Sequence, residues 1–237
     1  MRFFSVLLLI FSTILVHAQE GQKVNCRFLC LDTNATLPTL LTTSANAGEI
    51  SIRISPGAIT ESFPCFSKTA TFSFLSSTDR KPVAEVKIPA NMKSAVLVFL
   101  PSSPTSNALP WRIFAIEDSS KNFPDGGAFV ANFHTDDIRF IIGENKLMLK
   151  PSGFCGVMLP TKRDDFNMAP VAFQFQQGEN WRNASESMLR FLPGMHYLMF
   201  AFVEAASGRP RIVTFQDSKP PTPAGPLSPD SASVEKL

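Results

Sequence analysis

The sequence predicts an all-β protein, a β-sandwich of about twelve strands, immunoglobulin-like or jelly-roll-like, with little helix. Three observations predict it. Short apolar runs recur along the whole chain, each closed by Pro, Gly, Asn or Asp. No long segment repeats its apolar residues at the helical period. The aromatic residues are nearly all phenylalanine, 22 Phe against 2 Trp and 1 Tyr. Phe brings area and no polar handle, which suits faces packed together better than an aromatic binding platform.

In chain order, the candidate strands are 24–31, 49–54, 70–75, 83–88, 94–100, 111–117, 127–133, 138–142, 145–149, 154–159, 171–176, 187–192, 197–203 and 211–216. Ala70–Leu75 and Val83–Ile88 alternate with period two, as half-buried strands do, whereas Tyr197–Val203 is apolar on both faces, as a central strand is. The stretch near 181–190 is the one place where a helical turn is expected. Pro56-Gly57, Pro151-Ser152-Gly153 and Pro193-Gly194 punctuate the runs. Pro presets one turn dihedral and Gly accepts a positive one. Ile142-Gly143-Glu144-Asn145 is a hairpin signal of the same kind. These units favour one domain over 23–217, with a division near the Pro- and Ser-rich 101–110 as the alternative. The Pro/Ser-rich end, 218–237, is expected to be a disordered tail.

Residues 1–18 have the layout of a cleavable signal peptide. Arg2 precedes the apolar run Phe3–Val16, and Val16-His17-Ala18 places small residues at the −3 and −1 positions. The run is too short for a comfortable membrane span, and no other run approaches the required length. The expectation is a secreted or periplasmic product, not inserted in a membrane. A formal net charge of +2 leaves no field to steer the chain onto nucleic acid.

Export makes disulfides plausible chemistry for Cys26, Cys30, Cys65 and Cys155. If 24–31 is a strand, Cys26 and Cys30 lie roughly 13 Å apart and do not bond to each other. Two frameworks remain: Cys26–Cys65 with Cys30–Cys155, or the crossed alternative. The Cys-x3-Cys spacing has no second pair to complete a zinc site, and no cofactor is implied.

The densest group of potential ligands is His134-Thr135-Asp136-Asp137, one imidazole and two carboxylates able to hold a metal or to pair as base and orienting acid. The competing reading is a turn whose Asp side chains bond local amides. Asp118 and Asp125 flank an oxygen-rich, Gly-containing loop, but it lacks calcium-loop spacing and holds Lys121 in its middle. Asp164 and Asp165 belong to a mixed-charge loop, and His196 opens an apolar strand. No Gly-x-Ser-x-Gly, His-Glu-x-x-His, P-loop or dinucleotide fingerprint is present. Asn34-Ala35-Thr36 and Asn183-Ala184-Ser185 fit the glycosylation sequon, which has meaning only in a eukaryotic host.

Leu109–Gly153 carries Leu109-Pro110-Trp111-Arg112, Ile116-Glu117-Asp118-Ser119 and Asn122-Phe123-Pro124-Asp125-Gly126-Gly127, then a hairpin ending in Pro151-Ser152-Gly153. This block resembles uncharacterised secreted all-β proteins of the Verrucomicrobia–Planctomycetes group of bacteria. The resemblance implies a β-sandwich in a bacterial envelope and brings no catalytic residue. The expectation is therefore an exported, non-enzymatic protein, structural or binding a protein or glycan. A secreted hydrolase or carbohydrate-active enzyme using carboxylates of the 118–125, 134–137 or 164–165 loops is the alternative, and it requires at least two of these loops to share a cleft.

Overall fold

A computed structural model describes residues 21–32, 36–44, 48–102, 108–204 and 207–218. The expected leader and the tail from 219 onward lie outside the described residues. The chain is an all-β, sandwich-like stack of sheets, as its apolar pattern predicts, but with sixteen strands among the described residues in place of about twelve.

The first eight strands are β1 Gln22–Cys30, β2 Leu40–Ser44, β3 Gly48–Ile52, β4 Phe63–Ser67, β5 Thr71–Ser76, β6 Pro82–Lys87, β7 Ser94–Pro101 and β8 Trp111–Glu117. They form one sheet in the order β6-β5-β2-β4-β1-β7-β8, with β3 on β2. Its two ends, β6 and β8, come back beside each other, so the sheet curls into a nearly closed barrel. Phe28, Phe74 and Phe99 meet inside it at centroid separations of 5.6–6.3 Å. β2 and β4 escaped the apolar pattern. Pro64 interrupts β4, yet costs no ladder bond: its partner Asn25 sends its own N–H to Lys93 on the other side. Pro64 therefore occupies a non-hydrogen-bonded pair of the β1–β4 ladder.

The other eight are β9 Ala128–Asn132, β10 Ile138–Ile142, β11 Asn145–Leu149, β12 Phe154–Val157, β13 Met168–Gln177, β14 Asn180–Arg190, β15 Met195–Val203 and β16 Pro210–Ser218. They form two four-stranded sheets, β11-β10-β13-β14 and β12-β9-β15-β16. Between them lie Phe140, Phe173, Phe191, Tyr197 and Met199. The opposite face of the second sheet carries Phe129, Leu198, Phe200 and Phe215 against Leu29, Val96, Val98 and Ile116 of the curled sheet. β1, β7, β9 and β15 are thus covered on both faces, and this is why their apolar runs do not alternate. The 181–190 stretch is strand β14 and not a helical turn. The change of sheet falls within 118–127, because β7 and β8 still pair with each other across the 101–110 connection. Ser218, expected as the first residue of the tail, instead pairs with Met195 as the last residue of β16.

The turn chemistry holds with one exchange. Gly57, Gly143 and Gly194 have positive φ, but in Pro151-Ser152-Gly153 the positive φ of 63° falls on Ser152. Gly127 is required for a different reason: a Cβ there would run into the Val157 carbonyl of the neighbouring strand. Gly127→Ala is expected to destabilise by about 2 kcal/mol, the cost of forced overpacking, and thermal unfolding checks it.

All four cysteines carry free thiols, and neither two-disulfide framework is formed. Cys26, Cys30 and Cys65 line the curled sheet's interior, while Cys155 packs on the core between the other two sheets. A layer of strands separates Cys155 from every possible partner. Cys30 sits six residues along β1 from Val24, the partner of Cys65, which is about 20 Å of strand.

Candidate functional site

Two of the carboxylates singled out by sequence, Asp125 and Asp164, sit at turns and hold backbone. Asp125 Oδ1 accepts the Gly194 N–H at 2.7 Å and so ties the loop before β9 to the β14–β15 turn. Asp164 Oδ1 accepts the N–H groups of Phe166 and Met168 at 2.9 and 2.8 Å. In the His134 group the organiser is a residue the sequence reading passed over. Fully buried Asn132 donates from Nδ2 to the carbonyls of Asp136 and Leu149 at 2.9 and 3.0 Å, and its Oδ1 accepts the His134 N–H at 2.9 Å. His134 Nδ1 in turn accepts the Asp136 N–H at 3.0 Å, and the imidazole packs on Phe175. The His134 imidazole and the Asp136 backbone are consumed by the turn, and half-buried Asp137 leads into β10.

Nor do all three loops converge. β9 runs from the 118–127 loop to the 133–137 loop, and its five residues separate them by about 13 Å or more. Asp118 and Asp125 therefore sit at the opposite end of the sandwich from His134, Asp136 and Asp137. The loop of Asp164 and Asp165 shares the Asp125 end, because Val157 pairs with Ala128, but Asp164 caps its own turn. Among the described residues, no three His, Cys, Asp or Glu side chains are placed to hold a metal ion.

Two arrangements that the sequence reading missed are built across strands. The first is a buried charge cluster. Arg27 of β1 meets Asp217 of β16 with two parallel hydrogen bonds, 2.8 and 2.5 Å. His196 of β15 lies directly opposite Asp217 in the ladder and donates from Nε2 at 2.9 Å. Asp118 Oδ2 is 3.8 Å from Arg27, and Phe123 packs against the His196 ring. Burial alone would raise the Asp217 carboxyl; the hydrogen bonds from His196 and Arg27 outweigh it and hold the carboxyl well below the usual range. Burial likewise opposes the Arg27 charge, and Asp217 more than restores it. The cluster clamps the curled sheet to the sandwich. Asp217 is saturated by two side-chain donors, Arg27 and His196, as a structural clamp requires, and is held from accepting a proton.

The second arrangement is the open face of the β11-β10-β13-β14 sheet. Residues at Ala169, Val171, Phe173 and Phe175 of β13 point into the core, so Pro170, Ala172, Gln174 and Gln176 face out. Arg139 of β10 and Asn183 of β14 flank Gln174 in register, and Trp181 is opposite Gln176. The Arg139 guanidinium lies over the Trp181 indole, with Cζ 3.9 Å from the ring centroid. Gln174 Nε2 donates to Asn183 Oδ1 at 2.8 Å, and Asn183 Nδ2 donates to Glu186 Oε1 at 2.5 Å. Asn183 and Glu186 are three apart, an odd spacing that would put them on opposite faces of a regular strand. A bulge opposite Phe173–Gln174 inserts one residue into β14 and turns both outward. Trp111, by contrast, is buried in the curled sheet's core.

Fold and site together define an all-β protein whose aromatic, amide and charged side chains gather on an open sheet face. The chain matches no protein-family model and no curated protein.

Proposed function

We propose that this chain is an exported, non-enzymatic binding protein of the periplasm or cell surface, and that the open face around Trp181 is its binding surface. The observation that carries the reading is the Trp181–Arg139 stack set beside the Gln174–Asn183–Glu186 hydrogen-bond row. An indole offers area with little conformational entropy to lose, and the amides and guanidinium offer directional polar contacts. An exposed stack of this kind adds only about 0.5–1 kcal/mol to folding, so stability alone gives weak reason to keep an aromatic ring there. The hydrolase alternative lacks support of this sort, since Asp125 and Asp164 are engaged by backbone amides and Asp118 lies beside Arg27.

Export rests on the 1–18 leader pattern and agrees with the resemblance to secreted bacterial proteins. Secretion with processing should leave Gln19 as the first residue, which N-terminal sequencing of the exported product reads directly. Recovery of the protein with Met1 intact would remove the basis for the location. The purified protein is expected to release no product from polysaccharide, ester or peptide substrates, and turnover abolished by a single carboxylate substitution would overturn the non-enzymatic reading.

A further inference from the structure

We infer that the ligand of this face is an acidic polysaccharide, a chain of pyranose rings bearing carboxylates. The inference rests on the reading of the face as a binding surface and names what it takes. Four facts lead to it. The strands of the face present Arg139, Lys146 and Arg190 outward against a single outward carboxylate, Glu186. Asn183 donates to Glu186 and so occupies one acceptor position of that carboxylate. Arg139 makes no hydrogen bond or ion pair to any described residue, and its guanidinium sits over the indole with Cζ 3.9 Å from the ring centroid. A guanidinium so oriented offers a planar fork of N–H donors matched to a carboxylate, with less freedom to lose than an unsupported arginine.

The remaining chemistry suits the rest of a sugar ring. The Gln174, Gln176 and Asn183 amides supply donors and acceptors for hydroxyls, and the indole supplies an apolar surface for C–H groups. A protein partner would use the exposed Met148 and Met188 that share this face, but it fits less well at the ring itself, whose neighbours are Arg139, Gln174, Gln176 and Asn183, because the fully buried centre of such interfaces is depleted in charge. A nucleic acid fits less well too. Its affinity comes from many phosphate contacts, and three basic side chains opposed by Glu186 supply few.

The test uses titration calorimetry and tryptophan fluorescence with an oligogalacturonate and its fully methyl-esterified form as probes. Trp111→Phe leaves Trp181 as the sole reporter. The oligogalacturonate is expected to bind with quenching of Trp181, and the ester to bind at least about tenfold more weakly. Arg139→Gln and Trp181→Ala should each weaken the oligogalacturonate by about tenfold or more. Arg112→Gln, an exposed cation on the curled sheet, should leave it unchanged. Equal binding of acid and ester, still lost in Trp181→Ala, would overturn the acidic assignment and leave the binding face standing. Absence of binding to either probe would overturn the acidic assignment, and binding unaffected by both face variants would overturn the site. Cleavage of the oligogalacturonate would instead overturn the non-enzymatic reading on which the inference rests.

Discussion

Asp217→Asn is expected to lower the stability of the fold by about 3 kcal/mol, the usual scale for breaking a buried ion pair from one side. For a chain of this size that is roughly 6–12 °C in Tm. Asp217 is 4% exposed and makes the two short, parallel hydrogen bonds to the Arg27 guanidinium, so its loss leaves a half-buried cation with Asp118, 3.8 Å away, as the weaker counter-charge. The pH dependence carries the same signature. Because the folded carboxyl titrates below its unfolded value, its contribution is complete above the ordinary aspartate pKa of about 3.9 and is lost as pH falls beneath it. The wild-type protein should therefore lose stability in that acid window, and Asp217→Asn should lose less there. Chemical denaturation of both proteins between neutral pH and pH 3 measures the difference. Arg27→Met, His196→Phe and Asp217→Leu made together should cost less than the single change, since the Arg27 and Asp217 charges leave together and Asp118 loses only a counter-charge 3.8 Å away. A triple variant as damaged as Asp217→Asn would mean that the cluster's shape, and not its charge balance, is what matters.

Phe200→Ala should cost about 3–5 kcal/mol, the largest effect expected of any apolar truncation here. Its ring is fully buried between the curled sheet and the sandwich, stacked on Phe133 at 5.8 Å and edge-on to Phe215 at 6.0 Å. It lies in the core that the curled sheet shares with the β12-β9-β15-β16 sheet, so the damage should spread to both halves of the chain. A single transition shifted downward as a whole, seen by Trp111 fluorescence from the curled sheet and by far-ultraviolet circular dichroism of all strands, is the expected outcome. Two separated transitions, with the curled sheet unaffected, would show that the halves unfold independently.

The strands were legible where one physical pattern ruled. β5 and β6 alternate because one face is wet, and β7 and β15 run unbroken because both faces are covered. β14 was illegible because it is an edge strand, largely exposed on both faces and bulged, so Asn180–Arg190 shows neither pattern. The shared core between sheets was hidden as well, since nothing local says which face of Phe129 or Leu198 meets which layer.

The functional features divide in the same way. The turn-forming role of the Asp residues is local chemistry and could be weighed from sequence. The Arg27–Asp217 contact spans 190 positions and could not. One signal was available: Arg27 stands in the middle of the apolar run Val24–Leu31, where a charge is tolerated only with a partner. Trp181 and Arg139 likewise come from different strands, and the bulge that aligns Asn183 with Glu186 has no glycine to announce it.

Amide hydrogen exchange with and without saturating oligogalacturonate tests the binding face most directly. Added protection is expected in 139–148 and 174–188, the strands that carry Arg139, Lys146, Gln174, Trp181 and Glu186, with the rest of the chain unchanged. Protection confined instead to the 118–137 loops, or to the groove lined by Leu31, Leu100, Arg112 and Phe202, would contradict the account.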